Sequence, residues 1–300
     1  MRMLRNVHER VVEAPAEVVG DLLGRLSSPD DPLSPSPAWP PILFDGPLAV
    51  GADGGHGFVR YSVGAYDPGR SIRFDFTPPD NGHHALEIEP LAADRCRVRH
   101  VLEQQQGWKA ALTWSLAISP MHDTYVEELL DNITRAATPS AALRSARPSR
   151  RSRLLHRLIW ERPTAVEVSP DAALAHQAFP HPDFSDAWQL PLAPGMPRDP
   201  HAWSGVLPFP VRATAPHELL LGEDASHLDF RASVLIVDDK VTLTTVVKTH
   251  NRRGRLYFAV VRRFHPFMSR TMLRRTHRRL AFAAPSAAER VMSLEQEEST

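Results

Sequence analysis

The chain has 300 residues, 35 Lys and Arg against 35 Asp and Glu, 42% hydrophobic residues and one cysteine. That length allows two ordinary domains. No apolar run reaches the ~20 residues of a spanning helix, the first residues lack the apolar core of a signal peptide, and Cys96 has no partner for an intramolecular disulfide. A soluble protein of a reducing cytoplasm is the expectation, and the Arg- and Pro-rich composition suits a high-GC bacterial genome.

In chain order, Asn6 to Glu13 predicts a strand. Pro15 then opens an amphipathic helix with Val18, Val19, Leu22, Leu23 and Leu26 as its apolar stripe. Ser27 to Pro41, dense in Ser, Asp and Pro, predicts a loop over one end of the fold. Around Val59–Val63, Ile72–Phe76, Leu86–Ile88 and Val98–Leu102, apolar residues fall on every second position, which predicts antiparallel strands. Turn signals stand at Tyr66–Gly69, Pro79–Gly82 and Ala92–Asp94. Gly107 to Ile133 predicts a long helix carrying Trp108 and Trp114, kinked or restarted at Pro120. A sheet gripping a helix tends to leave a cavity between the two.

Residues 138–163, rich in Ser, Ala, Pro and Arg, read as a linker between domains at 1–137 and 164–283, with an acidic tail at 284–300. The second domain predicts strands at His227–Val237, Val241–Thr249 and Arg255–Arg263, joined by turns at Asp238–Lys240 and Asn251–Gly254. A helix from Pro266 to Phe282 follows, with Pro266 in its first turn. The fold class expected is α+β: two tandem helix-grip-like domains, each a curved antiparallel sheet on a long C-terminal helix.

Charge is unevenly spread. Residues 1–140 carry 12 Lys/Arg against 19 Asp/Glu, whereas Lys248 to Arg279 carries 11 Lys/Arg and no acid. The basic helix could meet an acidic partner, a membrane surface or the acidic first domain. Nucleic acid is disfavoured, because no nucleic-acid motif accompanies the charge.

Among residues that could carry chemistry, Tyr61 and His100 are polar-tipped on the apolar phase of the first sheet. They would orient a ligand, with His100 as an acid/base group near neutral pH; a hydrogen-bonded core histidine is the alternative. His122 follows Pro120 and could reach the pocket mouth, and helix-cap chemistry accounts for Asp123 as well as function does. Val59, Val63, Phe74, Phe76, Trp108 and Trp114 are the expected apolar lining. In the second domain His227, Asp229 and Arg231 alternate on one strand face, with Tyr257 and His265 nearby as further ligand contacts. No zinc-type His pair, Walker loop, Rossmann fingerprint or nucleophile elbow is present. No metal or cofactor is expected.

Residues of about 6–137, through the strand–helix–sheet–helix order and the Pro120-Met121-His122-Asp123 and Leu129-Leu130-Asp131 runs, resemble the START/polyketide-cyclase-like (SRPBCC) superfamily. Residues of about 165–282 resemble the bacterial domain of unknown function 2867, through Glu218–Asp224, His227–Arg231, Gly254–Tyr257 and Phe264–Phe267. The first resemblance implies a helix-grip fold that binds or transforms hydrophobic molecules, and it adds weight to His122. Binding of a small hydrophobic ligand, with cyclase- or dehydratase-like turnover open, is the expected function. The alternative is a non-catalytic interaction protein whose basic C-terminal domain contacts an acidic partner.

Overall fold

A computed structural model describes residues 2–139 and 148–298. The chain divides into two compact units, Met1–Ile159 with Pro285–Thr300, and Trp160–Ala284. No helix among the described residues is long and apolar enough to cross a membrane.

The first unit runs β1 (Arg2–Val12), α1 (Ala16–Gly24), β2 (Leu43–Phe44), β3 (Asp53–His56), β4 (Val59–Asp67), β5 (Ser71–Phe76), β6 (His83–Ala92) and β7 (Arg95–Gln106). It continues through α2 (Trp108–Thr113), a π-helical turn (Trp114–Ile118), α3 (Ser119–Ala137) and α4 (Arg150–Ile159). The seven strands form one antiparallel sheet in the order β1-β7-β6-β5-β4-β3-β2, so the first strand closes on the last across the length of the unit. Pro120 sits in the first turn of α3, where its missing amide proton costs nothing, and the π-helical turn takes up the break just before it. Val19 and Leu23 of α1, with Val126, Leu129, Leu130 and Ile133 of α3, pack against Tyr61, Ile72, Phe74, Leu86 and Val98 of the sheet. The opposite phase carries the cross-strand pairs its alternating charge predicts, such as Arg97–Glu89 at 2.8 Å and Arg5–Glu103 at 3.1 Å.

The second unit runs β8 (Thr164–Val166), α5 (Ala173–Ala178), β9 (Phe184–Pro191), a 3-10 turn (Pro200–Val206), β10 (Val211–Ala215), β11 (Glu218–Asp224), β12 (Leu228–Val237), β13 (Lys240–Thr249) and α6 (Arg252–Ala283). Its antiparallel sheet is ordered β10-β11-β12-β13-β9-β8. Asp238 and Asp239, at φ of 50° and 55°, make the tight β12–β13 turn that the sequence predicts. Leu219, Leu221, Val234, Val241 and Leu243 pack with Trp203 and with Leu273 and Ala281 of α6. The fold is therefore α+β, with two antiparallel sheets each followed by a long helix.

Three expectations are corrected. Arg255–Arg263 is not a strand, and Asn251–Gly254 is not a hairpin turn. Both belong to α6, whose N-cap is the Asn251 side chain accepting from the Gly254 amide at 3.0 Å. Buried Gly254, Phe258, Ser269 and Leu273 follow the helical period, but the Val260-Val261 pair mimics a strand. Gly254 is required there, because a Cβ would lie 1.9 Å from the His227 carbonyl oxygen. Pro266 lies inside α6, not in its first turn.

The linker and tail boundaries also fall differently. Residues 150–159 of the expected linker form α4, whose inward residues are Ser152 and His156; residues 140–147 lie outside the described chain. Ser152 Oγ meets Thr124 Oγ1 at 2.8 Å and His156 Nε2 meets the Ala38 carbonyl at 2.9 Å, while Leu154 and Leu158 face out. The apolar residues Leu154, Leu158 and Ile159 of this helix lie on its exposed side, so they do not mark its core-facing side. Of the expected acidic tail, Ala287–Glu298 forms α7 in the first unit, docked through buried Ala287 and Ala288; residues 299–300 lie outside the described chain. A reciprocal cap starts it: the Ser286 amide donates to Glu289 at 2.7 Å and the Glu289 amide to Ser286 Oγ at 3.3 Å.

Candidate functional site

The inward phase of the first sheet brings a row of rings under α3. Register places His8 of β1 opposite His100 of β7, and His84 of β6 opposite Leu102, diagonal to His100. His122 of α3 lies over His100, with ring centroids 5.2 Å apart, and next to Trp114 at 5.3 Å. From His100 the row passes to His84 at 5.5 Å and on to Tyr61 at 4.7 Å. It then reaches His56, whose Nδ1 is 3.0 Å from the Tyr61 hydroxyl and whose ring stacks on Tyr125 at 4.8 Å. Tyr125 meets Trp39 edge-on at 5.7 Å, and Trp39 meets His156 at 4.3 Å.

Burial sets the electrostatics of this row. Desolvation lowers the pKa of His56 to about 4, and it holds His84 and His100 well below the usual imidazole range. His122 is lowered by burial too, against the raising effect of Asp123. These rings are neutral at pH 7, each offering one donor and one acceptor. Burial raises the hydroxyl pKa of Tyr61 and Tyr125. Glu128 is pushed up to about 7 by burial, although Trp39 Nε1 donates to it at 2.8 Å. Among the described residues, His84 Nε2, His100 Nδ1 and the Tyr125 hydroxyl are buried without a hydrogen-bond partner. A neutral imidazole with an open nitrogen can bind a polar group, but burial this deep corrects one expectation: His100 is not an acid/base group near neutral pH.

Beside the row, β1 and α3 are joined by charge. Asp123, Glu127 and Asp131 recur every fourth residue on α3 and face Asn6, His8 and Arg10, which recur every second residue on β1. His8 Nδ1 lies 2.7 Å from Glu127, and His8 Nε2 lies 3.2 Å from Asp123 Oδ1. Arg10 donates to Glu127 at 2.7 Å and to Asp131 at 2.5 Å. The hydrogen bond to Asp123 raises the pKa of His8 in spite of burial.

The structure thus brings His100, Tyr61, His122, Phe74 and Trp114 together, with half-buried Phe76 ring-stacked on His84 at 5.4 Å. Val63 is buried in the same core and Val59 packs at its edge. Trp108 is not part of this group; it is exposed, with the Lys109 ammonium 5.5 Å from its ring. Sequence reasoning missed His8, His56 and His84. The signal for His84 was its phase with Leu86 and Ile88, and for His8 the acidic period of α3.

The second-unit candidates do not converge. His227 meets Tyr257 edge-on at 5.2 Å, Arg231 binds Asp224 at 2.6 Å, and Asp229 binds His250 at 3.1 Å. His265 Nε2 lies 3.1 Å from Asp186 and 3.3 Å from Ser269 Oγ. Asp186 and Ser269 share one ring nitrogen, whereas a Ser–His–Asp relay needs both.

Two concavities, of about 330 and 320 Å³, are lined by Pro40, Leu43, Asp53, Gly57 and Arg60 in one case and by Glu87, Glu89, Arg97 and Arg99 in the other. Neither is lined by a member of the ring row.

A family model described as Protein of unknown function (DUF2867) matches residues 114–272, beginning in the helical segment of the first unit rather than near residue 165. No curated protein matches the chain. A conserved protein of unknown function from Enterococcus faecalis is similar in structure at 11% identity, over 51% of this chain and 82% of its own, with a TM-score of 0.37. Norcoclaurine synthase from Thalictrum flavum, in complex with dopamine and hydroxybenzaldehyde, is similar at 13% identity over 47% of this chain and 90% of its own, TM-score 0.37. The Aha1 dimer from Colwellia psychrerythraea is similar at 12% identity over 46% of this chain and 99% of its own, TM-score 0.34.

Proposed function

The chain belongs to the DUF2867 family of proteins of unknown function, and we propose that it binds a small hydrophobic molecule between the first sheet and α3, in a reducing cytoplasm. One observation carries this reading: His84 Nε2, His100 Nδ1 and the Tyr125 hydroxyl are buried and unpartnered in one row of touching rings. Each such group costs about 1–3 kcal/mol when left unpaired, so a ligand that satisfies them gains affinity from the fold's own deficit. The ligand this suits has an apolar body, to lie against Tyr61, Val63, Phe74 and Trp114, and a hydroxyl or carbonyl for His100 and His84. His122 and Tyr61 orient it. Because rings fill the inward space, the ligand replaces ring–ring contacts as it enters. His100, neutral and held well below the usual imidazole range, is a weak base that accepts a hydrogen bond from the ligand. Ring closure or loss of water by a molecule held there would therefore rest on proximity rather than on proton abstraction.

Native mass spectrometry of freshly purified protein, followed by organic extraction, tests the reading. The expected result is a reproducible apolar adduct that is lost in a folded His84→Phe/His100→Phe variant and in a folded Val63→Trp variant. A bare mass, with no thermal shift across a panel of hydroxylated aromatic compounds, rejects it.

A second reading has its own observation. On α6, Leu256, Val260, Phe264 and Phe267 form one exposed apolar face flanked by Arg252, Arg263 and Arg270. A face of that kind suits an anionic lipid surface, with the arginines meeting headgroups and the rings entering the interface. The protein is expected to sediment with phosphatidylserine-containing vesicles and not with phosphatidylcholine alone. Phe264→Ser/Phe267→Ser should lower the bound fraction several-fold; equal sedimentation of the two proteins removes this reading.

A further inference from the structure

Asp123 Oδ1 is a point of convergence. His8 Nε2 lies 3.2 Å from it, His122 Nδ1 3.5 Å and Asn6 Nδ2 3.1 Å. A ligand atom from each of His8, His122 and Asp123 lies within 4.8 Å of the other two. Two ligands bound at about 2.0–2.1 Å to a tetrahedral ion stand about 3.3 Å apart, which the two Asp123 distances already approach. The surrounding groups are arranged as metal sites arrange theirs. Glu127 holds His8 Nδ1 at 2.7 Å, which leaves Nε2 as the outward-facing donor, and Arg10 holds Glu127 in turn at 2.7 Å. Ser119 Oγ donates to the other Asp123 oxygen at 2.9 Å.

A charged His8–Asp123–Glu127 triplet would explain the β1–α3 contact by itself. It leaves three facts over. His122 turns to the same carboxylate oxygen as His8. The His100 ring, 5.2 Å from His122, has its buried Nδ1 unpartnered, and the side-chain oxygen of Asn6, whose amide nitrogen donates to Asp123, is buried and unpartnered as well.

We infer that His8, His122 and Asp123 form a binding site for a divalent transition-metal ion of the zinc class, held between β1 and α3 on two imidazoles and one carboxylate. The ion takes the place of the protons that the two rings share with Asp123 Oδ1, and His100 stands next to its remaining coordination position. The donor set, nitrogen with one hard oxygen and no thiolate, favours Zn²⁺, Co²⁺ or Ni²⁺ over Mg²⁺ or Ca²⁺. Glu127 is a positioning residue, acting on the metal through His8.

This goes beyond the organic-ligand reading, and its test uses metal alone. Full-length protein stripped with EDTA is titrated with ZnCl₂ by calorimetry, bound zinc is counted by elemental analysis, and CoCl₂ is followed by visible absorption. The expected result is one equivalent of zinc at micromolar affinity or tighter, and a cobalt spectrum of four-coordinate type. Asp123→Asn, which keeps the side-chain shape, should weaken binding at least 30-fold and abolish the cobalt band. His8→Gln should do the same where it folds. Glu127→Gln should weaken binding about 10-fold, and His201→Gln, at an exposed position of the second unit, should change nothing. Absence of saturable uptake by the wild type, or undiminished affinity in Asp123→Asn, overturns the site. Either outcome leaves the organic adduct experiment untouched.

Discussion

Acidification from pH 7.5 to 4.5 is expected to weaken the first unit, and His56→Phe is expected to remove about 2–3 kcal/mol of that loss. The unfolded chain protonates His56 near 6.5, whereas in the folded unit burial lowers its pKa to about 4. Its contribution is therefore complete above pH 6.5 and is lost as the pH falls through the window down to about 4. His84, packed between Tyr61, Phe74 and Phe76 and held well below the usual imidazole range by burial, acts in the same sense.

Glu128 opposes both. Burial raises its pKa from 4.5 to about 7, so its contribution is present below 4.5 and is lost as the pH rises through 7. Acidification to pH 4.5 thus restores about 3 kcal/mol at Glu128 and removes about 2–3 kcal/mol at His56. These two nearly cancel, and the buried His84 and His100, both held well below the usual imidazole range, turn the balance towards acid loss. Urea unfolding of metal-free protein, at pH 7.5 and 4.5, reads these terms separately. Glu128→Gln should steepen the acid loss, and His56→Phe should flatten it. An acid loss of equal size in wild type and His56→Phe would mean that the row is already hydrated in the folded state.

Arg10→Ala is expected to cost about 3 kcal/mol at pH 7, the largest single-residue loss on the β1–α3 contact. Asp131 is 2% exposed, and Arg10, 2.5 Å away, neutralises it while also binding Glu127 at 2.7 Å. Truncating Arg10 leaves a carboxylate in the core with no counter-charge. Arg10 itself is partly open to water, which places the cost at the low end for a buried pair. The double variant Arg10→Met/Asp131→Leu removes both charges and fills the space, so it should recover most of the loss. Urea midpoints of the two variants decide the matter. A double variant as weak as Arg10→Ala would show that the pair contributes through register between β1 and α3 rather than through charge.

Much of the architecture was legible from period alone. Alternation over Ile72–Phe76 and Val98–Leu102 assigns faces, because successive side chains on a strand point to opposite sides. It put Tyr61, Phe74 and His100 inward, where they are buried. The Asp238-Asp239 turn was legible because the two-residue hairpin turn tolerates few residue types. Where the buried face was polar, as Ser152 and His156 of α4, or small, as Ala287 and Ala288 of α7, the apolar residues did not mark the side that faces the core. Where β-branched residues fell inside a helix, as at Val260-Val261, the period was read as a strand.

Local periodicity settles which residues face inward, whereas strand order and packing settle which of them meet. His8 and His100 are neighbours because β1 closes the sheet against β7, and His8 meets Asp123 and Glu127 because α3 crosses that seam. Such contacts span about a hundred residues and are set by strand order and register, which local periodicity does not encode. The His8–His122–Asp123 cluster arises from that closure, and the lowered imidazoles and unpartnered nitrogens from burial of the sheet's inner face, since burial and convergence are properties of the packed unit and not of any segment of it.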